Sequence, residues 1–164
     1  MGAGKTTVGA VCAARLDRPL VDTDELVVAT AGSTIEEIFA TSGEAGFRAL
    51  EQQAVADACA SPQPLVIACG GGVVVDPQNR NLLHNTGFVV WLRAEPGELA
   101  SRVRAEGRVR PLLPPAGEEQ ALERLAALRE AAYDAVADVA VATDGRSVDE
   151  VADSVLDEVA RCAA

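Results

Sequence analysis

Short apolar runs alternate along the chain with longer stretches in which apolar residues recur at helical spacing. The runs fall at 20–22, 65–69, 88–92 and 138–142, and three of the four are nearly continuous. Continuous apolar runs predict strands covered on both faces. Helical patterns occupy about 5–16, 24–31, 35–40, 44–59, 97–106, 118–136 and 148–161. Two of these begin with capping-box spacing, Thr34 with Glu37 and Ser147 with Glu150. Strand–helix alternation of this kind predicts one α/β domain over 1–164, a parallel sheet between two helical layers. Only 107–117 breaks the pattern: three prolines and two arginines with no periodicity predict a lid or binding loop.

Composition narrows what such a domain can do. With 49% apolar but only 3% aromatic residues, the core must be aliphatic. No apolar run approaches the ~20 residues of a membrane span, and the first residues lack a secretory pattern. A net charge of −11 disfavours electrostatic binding to nucleic acid or anionic membranes, so an anionic ligand needs a local positive site. Four cysteines without C-x-x-C spacing and a single histidine offer no zinc site. The expectation is a soluble, cytoplasmic, monomeric domain. Thirteen of its fourteen basic residues are arginine, which sets apart the lone lysine, Lys5.

Lys5 lies in Met-Gly-Ala-Gly-Lys-Thr-Thr, the end of a phosphate-binding loop, directly before a helix. Glycines let backbone N–H groups turn towards phosphate oxygens, and the helix N-terminus adds partial positive charge. Lys5 can reach the β/γ-phosphates, and the Thr6 hydroxyl can ligate Mg²⁺. Such a loop is normally fed by a central strand, which residues upstream of Met1 are expected to supply. Without it, two neighbouring strands lose ladder partners and expose apolar surface.

Other candidates follow in chain order. Asp22-Thr-Asp24 leaves the first apolar run where open parallel sheets bind ligands. One carboxylate can serve Mg²⁺ through water and the other a substrate hydroxyl; alternatively, Asp24 merely caps the next helix. Arg48 and Glu51, three apart, can pair as a solvated surface bridge or as an oriented fork for a carboxylate. Gly70-Gly71-Gly72 allows close approach of a ligand or makes a plain turn. Arg108 and Arg110 place cations on the expected lid. Arg129 on a late helix and Arg146 in a polar turn read singly as surface charges.

Taken in order, GAGKTT, DTD, GFR with Glu51, GGG, RVRPLL and LREAAY resemble shikimate kinase from Met1 to about Arg146. The resemblance implies a three-layer P-loop kinase fold, its five-stranded parallel sheet ordered 2-3-1-4-5, with the first strand missing from this chain. It also implies ATP- and Mg²⁺-dependent phosphorylation of the shikimate 3-hydroxyl in chorismate and aromatic amino-acid biosynthesis. Carried over by position, Gly2, Ala3, Gly4, Lys5, Thr6 and Thr7 would hold ATP phosphates. Thr6 would ligate Mg²⁺, with Asp22 reaching the ion through water. Asp24 would bind the shikimate hydroxyls as base or positioner. Arg48, Gly71 and Arg129 match shikimate-binding positions, Arg110 the lid arginine on phosphate, and Arg146 the adenine side. Asp134 and Val148 stand where the family often has Arg and Pro, and neither touches the phosphoryl transfer. The alternatives are another small-metabolite P-loop kinase, such as gluconate kinase, or a non-catalytic nucleotide- or metabolite-binding relative.

Overall fold

The computed structural model describes residues 2–106 and 118–163. The expected lid at 107–117, with Arg108 and Arg110, lies outside the described residues. The elements run α1 (Lys5–Leu16), β1 (Leu20–Asp22), α2 (Thr23–Ala31), α3 (Ile35–Cys59), β2 (Val66–Ala68), a 3-10 turn (Val73–Val75), α4 (Pro77–Thr86), β3 (Val90–Arg93), α5 (Pro96–Glu106), α6 (Glu118–Val136), β4 (Val139–Ala142) and α7 (Val148–Ala163). All four expected strands form, each shifted or trimmed by at most two residues at its ends.

Local chemistry explains the boundaries. Both capping boxes close: Glu37 N–H donates to Thr34 Oγ1 while Thr34 N–H donates to Glu37 Oε2, and Ser147 with Glu150 repeats the exchange. The stretches expected as separate helices at 35–40 and 44–59 join as α3 across a kink at Gly43, whose φ of 65° only glycine adopts freely. The expected start of α2 at 24 moves to Thr23, because Asp22 rather than Asp24 is the cap and accepts Asp24 N–H at 2.9 Å. α4 was not expected. Its start carries a local signal, an Asp76 cap followed by Pro77 at the first helical position.

The strands pair in two parallel couples, β1 with β2 (Leu20 opposite Val66) and β3 with β4 (Val90 opposite Val139). Among the described residues no strand bridges β2 and β3. Between them runs an apolar slot of about 900 Å³, lined by Val66, Ile67, Ala68, Val90, Trp91 and Leu92, with Val8 and Cys12 of α1. Val66 and Ile67 of β2 and Val90, Trp91 and Leu92 of β3 are half-buried, whereas Ala68 is buried.

Burial is concentrated in three clusters, two of which border the slot. One joins Val8 and Cys12 of α1 to Val141, Val151 and Ala152. Another packs Val55, Val73, Val74, Leu83 and Val136 together, and a third gathers Val27, Ile38, Phe47 and Ala54. Val27, Val55, Val73 and Val151 are almost wholly removed from water. Each is worth about 1.5 kcal/mol or more in transfer free energy. Arg15 ties α1 to α7 by pairing with both Asp149 and Asp153. No helix among the described residues is long and apolar enough to cross a membrane.

Candidate active site

The site lies at the carboxyl ends of β1 and β2, where each strand hands over to a loop or helix. On one side, Gly4 caps α1 in the left-handed region (φ 78°), and Gly2 also has positive φ (72°). No side chain caps this helix start, so its first N–H groups are presented as an anion cradle. Lys5 opens the helix, and its charge reaches Cys69, immediately before the glycine loop. Thr6 Oγ1 donates to Asp22 Oδ2 at 2.7 Å, joining the cradle to the end of β1.

Opposite the cradle, Gly70, Gly71 and Gly72 meet the predicted acid-binding residues. A Cβ on Gly70 would stand 2.6 Å from Asp24 Oδ1 and 3.2 Å from Glu51 Oε1, and one on Gly72 would stand 2.1 Å from Arg48 Nη1. A side chain at either position would displace these groups, so the glycines permit close packing as well as turning. Arg129 Nη1 and Tyr133 Oη both donate to the Gly71 carbonyl, at 3.0 and 2.8 Å. Tyr133 is in turn stacked on Trp91, with ring centroids 5.1 Å apart.

The spacing of Arg48 and Glu51 yields a bond rather than a loose surface bridge. Arg48 Nη1 donates to Glu51 Oε2 at 2.7 Å and Nη2 to Glu44 Oε1 at 3.0 Å, and Glu51 is only 2% exposed. Burial pushes the Glu51 carboxyl above the usual range, more than Arg48 draws it down; the Asp24 charge adds to the rise. Arg48 itself loses to burial, but its two glutamates outweigh that and hold its pKa above the ordinary value. Arg129 is not a surface charge either, being 8% exposed.

A pH dependence follows. Glu51 takes up its proton at higher pH than an exposed glutamate (about 4.3), and a neutral Glu51 holds Arg48 less firmly. The KM of an anionic acid substrate bound by Arg48 is expected to rise as pH falls, starting above that value. Glu51→Gln should remove this limb from a KM–pH profile and leave KM high throughout. Stability has its own sign: the folded pKa is raised, so this group's contribution is full below its unfolded pKa and lost as pH rises through the folded one.

A cavity of about 480 Å³ lies beside the cradle, lined by Gly2, Ala3, Gly4, Thr7, Arg102, Thr143 and Arg146. Arg146 is fixed there by bonds to the Ala142 carbonyl (3.0 Å) and Ser154 Oγ (2.6 Å). Arg102 escaped the sequence reading. Its Nη1 donates to Thr143 Oγ1 at 3.0 Å and also to the Gly2 carbonyl, joining α5 to the cradle and the β4 exit. Those partners are 100 and 41 residues away, so no local pattern marks it.

Thus the structure brings Lys5, Thr6, Asp22, Asp24, Arg48, Gly71 and Arg129 to one end of the sheet, and Gly2, Ala3, Gly4, Thr7 and Arg146 to the adjoining cavity. A glycine-capped helix start headed by a lysine, next to a cluster of arginines and carboxylates, matches the plan of a P-loop phosphotransferase of small molecules.

The family model for shikimate kinase matches residues 1–160. A shikimate kinase of Symbiobacterium thermophilum is 47% identical over 160 residues, covering 97% of this chain and 91% of that protein. One of Burkholderia pseudomallei is 43% identical over 156 residues, covering 95% and 84%. The solved shikimate kinase of Acinetobacter baumannii, in complex with shikimate, superposes with a TM-score of 0.93 at 34% identity, covering 98% of this chain and 89% of that one. The enzyme of Aquifex aeolicus gives 0.78 at 29% identity, covering 99% and 93%. The chain belongs to the shikimate kinase family.

Proposed function

We propose that the protein transfers the γ-phosphoryl group of ATP to the 3-hydroxyl of shikimate. The observation that carries this reading is the meeting of Asp24, Arg48, Glu51 and Arg129 around Gly70–Gly72, across from Lys5 and the glycine cradle. Arg48 and Arg129 hold the substrate carboxylate, and Asp24 receives or orients the attacking hydroxyl. Lys5 and the α1 amides bear the charge that develops on the phosphates, so positioning and electrostatics do most of the catalysis. The base sits in the cavity bordered by Arg102, Thr143 and Arg146. Arg110, which lies outside the described residues, is assigned to the ATP phosphates by its match to the lid arginine.

Thr6 and Asp22 offer a hydroxyl and a carboxylate 2.7 Å apart at the cradle. No cluster of three or more carboxylate, thiol or imidazole ligands exists among the described residues. This sparse, hard-oxygen set fits Mg²⁺, which keeps several waters and takes its remaining ligands from substrate phosphates. When bound, the ion would neutralise phosphate charge; Thr6 would hold it, and Asp22 would orient its water.

A coupled ADP-release assay with shikimate and gluconate as acceptors tests the proposal. Turnover is expected with shikimate alone. Arg48→Ala and Arg129→Ala should each raise the shikimate KM about tenfold or more, because each removes a charged hydrogen bond. Turnover on gluconate instead, or an unchanged KM in both variants, would contradict it. Shikimate binding without turnover would indicate a binding protein.

A further inference from the structure

Thr23 has no part in the reaction as assigned so far, yet it is completely buried between the two aspartates. The β1–β2 ladder ends at Asp22 opposite Ala68, since Thr23 already begins α2. Gly70 lies just beyond the last ladder pair, and its N–H donates to Thr23 Oγ1 at 2.8 Å. A side chain has thus taken over from the ladder where the backbone turns away.

That single bond fixes the start of the glycine loop. Gly70 packs against Asp24 and Glu51, Gly72 against Arg48, and the Gly71 carbonyl receives Arg129 and Tyr133. Displacing Gly70 N–H would therefore shift the loop relative to every residue assigned to the acid. The cradle has a separate tie, Thr6 to Asp22. We infer that Thr23 is a positioning residue: its hydroxyl sets the register of the 70–72 loop and so tunes shikimate affinity without serving the nucleotide. The inference rests on the proposed function above.

Thr23→Val keeps the shape but strands the Gly70 N–H, whereas Thr23→Ser keeps the acceptor. Valine is expected to raise the shikimate KM about tenfold, to leave the ATP KM within about twofold, and to speed exchange of the Gly70 amide. Serine should restore all three. Thr23→Cys, with a weaker acceptor, should fall between them and serves where valine fails to fold. Equal increases in both KM values, a serine variant no better than valine, or an unshifted shikimate KM overturns the assignment. A wild-type protein inert towards shikimate would instead remove the underlying reading, and the inference with it.

Discussion

Replacing Lys5 with alanine is expected to lower kcat by roughly 100-fold or more, with the shikimate KM staying within about threefold. Lys5 stands at the head of α1 beside Gly4, and its charge acts on Cys69 at the start of the glycine loop. Its ammonium gains most when negative charge moves onto the phosphates, so its loss is felt chiefly in the transition state. In the proposed reaction the acid is held by groups on other elements, Arg48 on α3 and Arg129 on α6, which the substitution does not touch. Steady-state kinetics with shikimate varied at saturating ATP separate the two constants. A large rise in shikimate KM with kcat preserved would place Lys5 on the acid side instead.

Asp24→Asn should also act mainly on kcat, by about 10²- to 10⁴-fold, the usual range for a group that takes a proton in the transition state. Asparagine retains the shape that fits against Gly70, where Asp24 Oδ1 would lie 2.6 Å from an added Cβ. It removes the negative charge that, in the proposed reaction, receives the hydroxyl proton. The change also relieves repulsion of the Glu51 carboxylate, since the Asp24 charge is one cause of its raised pKa. The KM–pH limb described above should therefore move to lower pH in this variant. If kcat falls less than about tenfold, the aspartate orients the hydroxyl without taking its proton.

The two predictions draw on features of unequal legibility. The α1 cradle was readable because Gly4-Lys5-Thr6 is a local string whose geometry is set within one turn. Arg48 with Glu51 was readable in spacing but not in depth: Glu51 is buried, and Arg48 is half-buried with its guanidinium over the Phe47 ring. Arg129 looked like an ordinary helix-surface charge until the fold brought the Gly71 carbonyl to it across 58 residues. Thr23 and Arg102 were missed for the same reason, as each acts through a partner tens of residues distant. Helix α4 was missed because Pro77–Thr86 is mostly polar and buries little beyond Leu83 and Asn79, leaving no strong apolar period.

Arg102 has a consequence for how the phosphate loop and the β4 exit are held together. Asp22, Asp24 and Gly70–Gly72 lie at the end of the β1–β2 couple, and Thr143 and Arg146 follow β4 on the other. Among the described residues these two rafts are linked by helix packing rather than by a shared ladder. Arg102 adds directional bonds to that packing, donating to Thr143 Oγ1 at the β4 exit and to the Gly2 carbonyl beside the glycine loop of α1. Losing that guanidinium would give non-directional apolar packing the larger share in holding the adenine-side cavity to the phosphate end of α1.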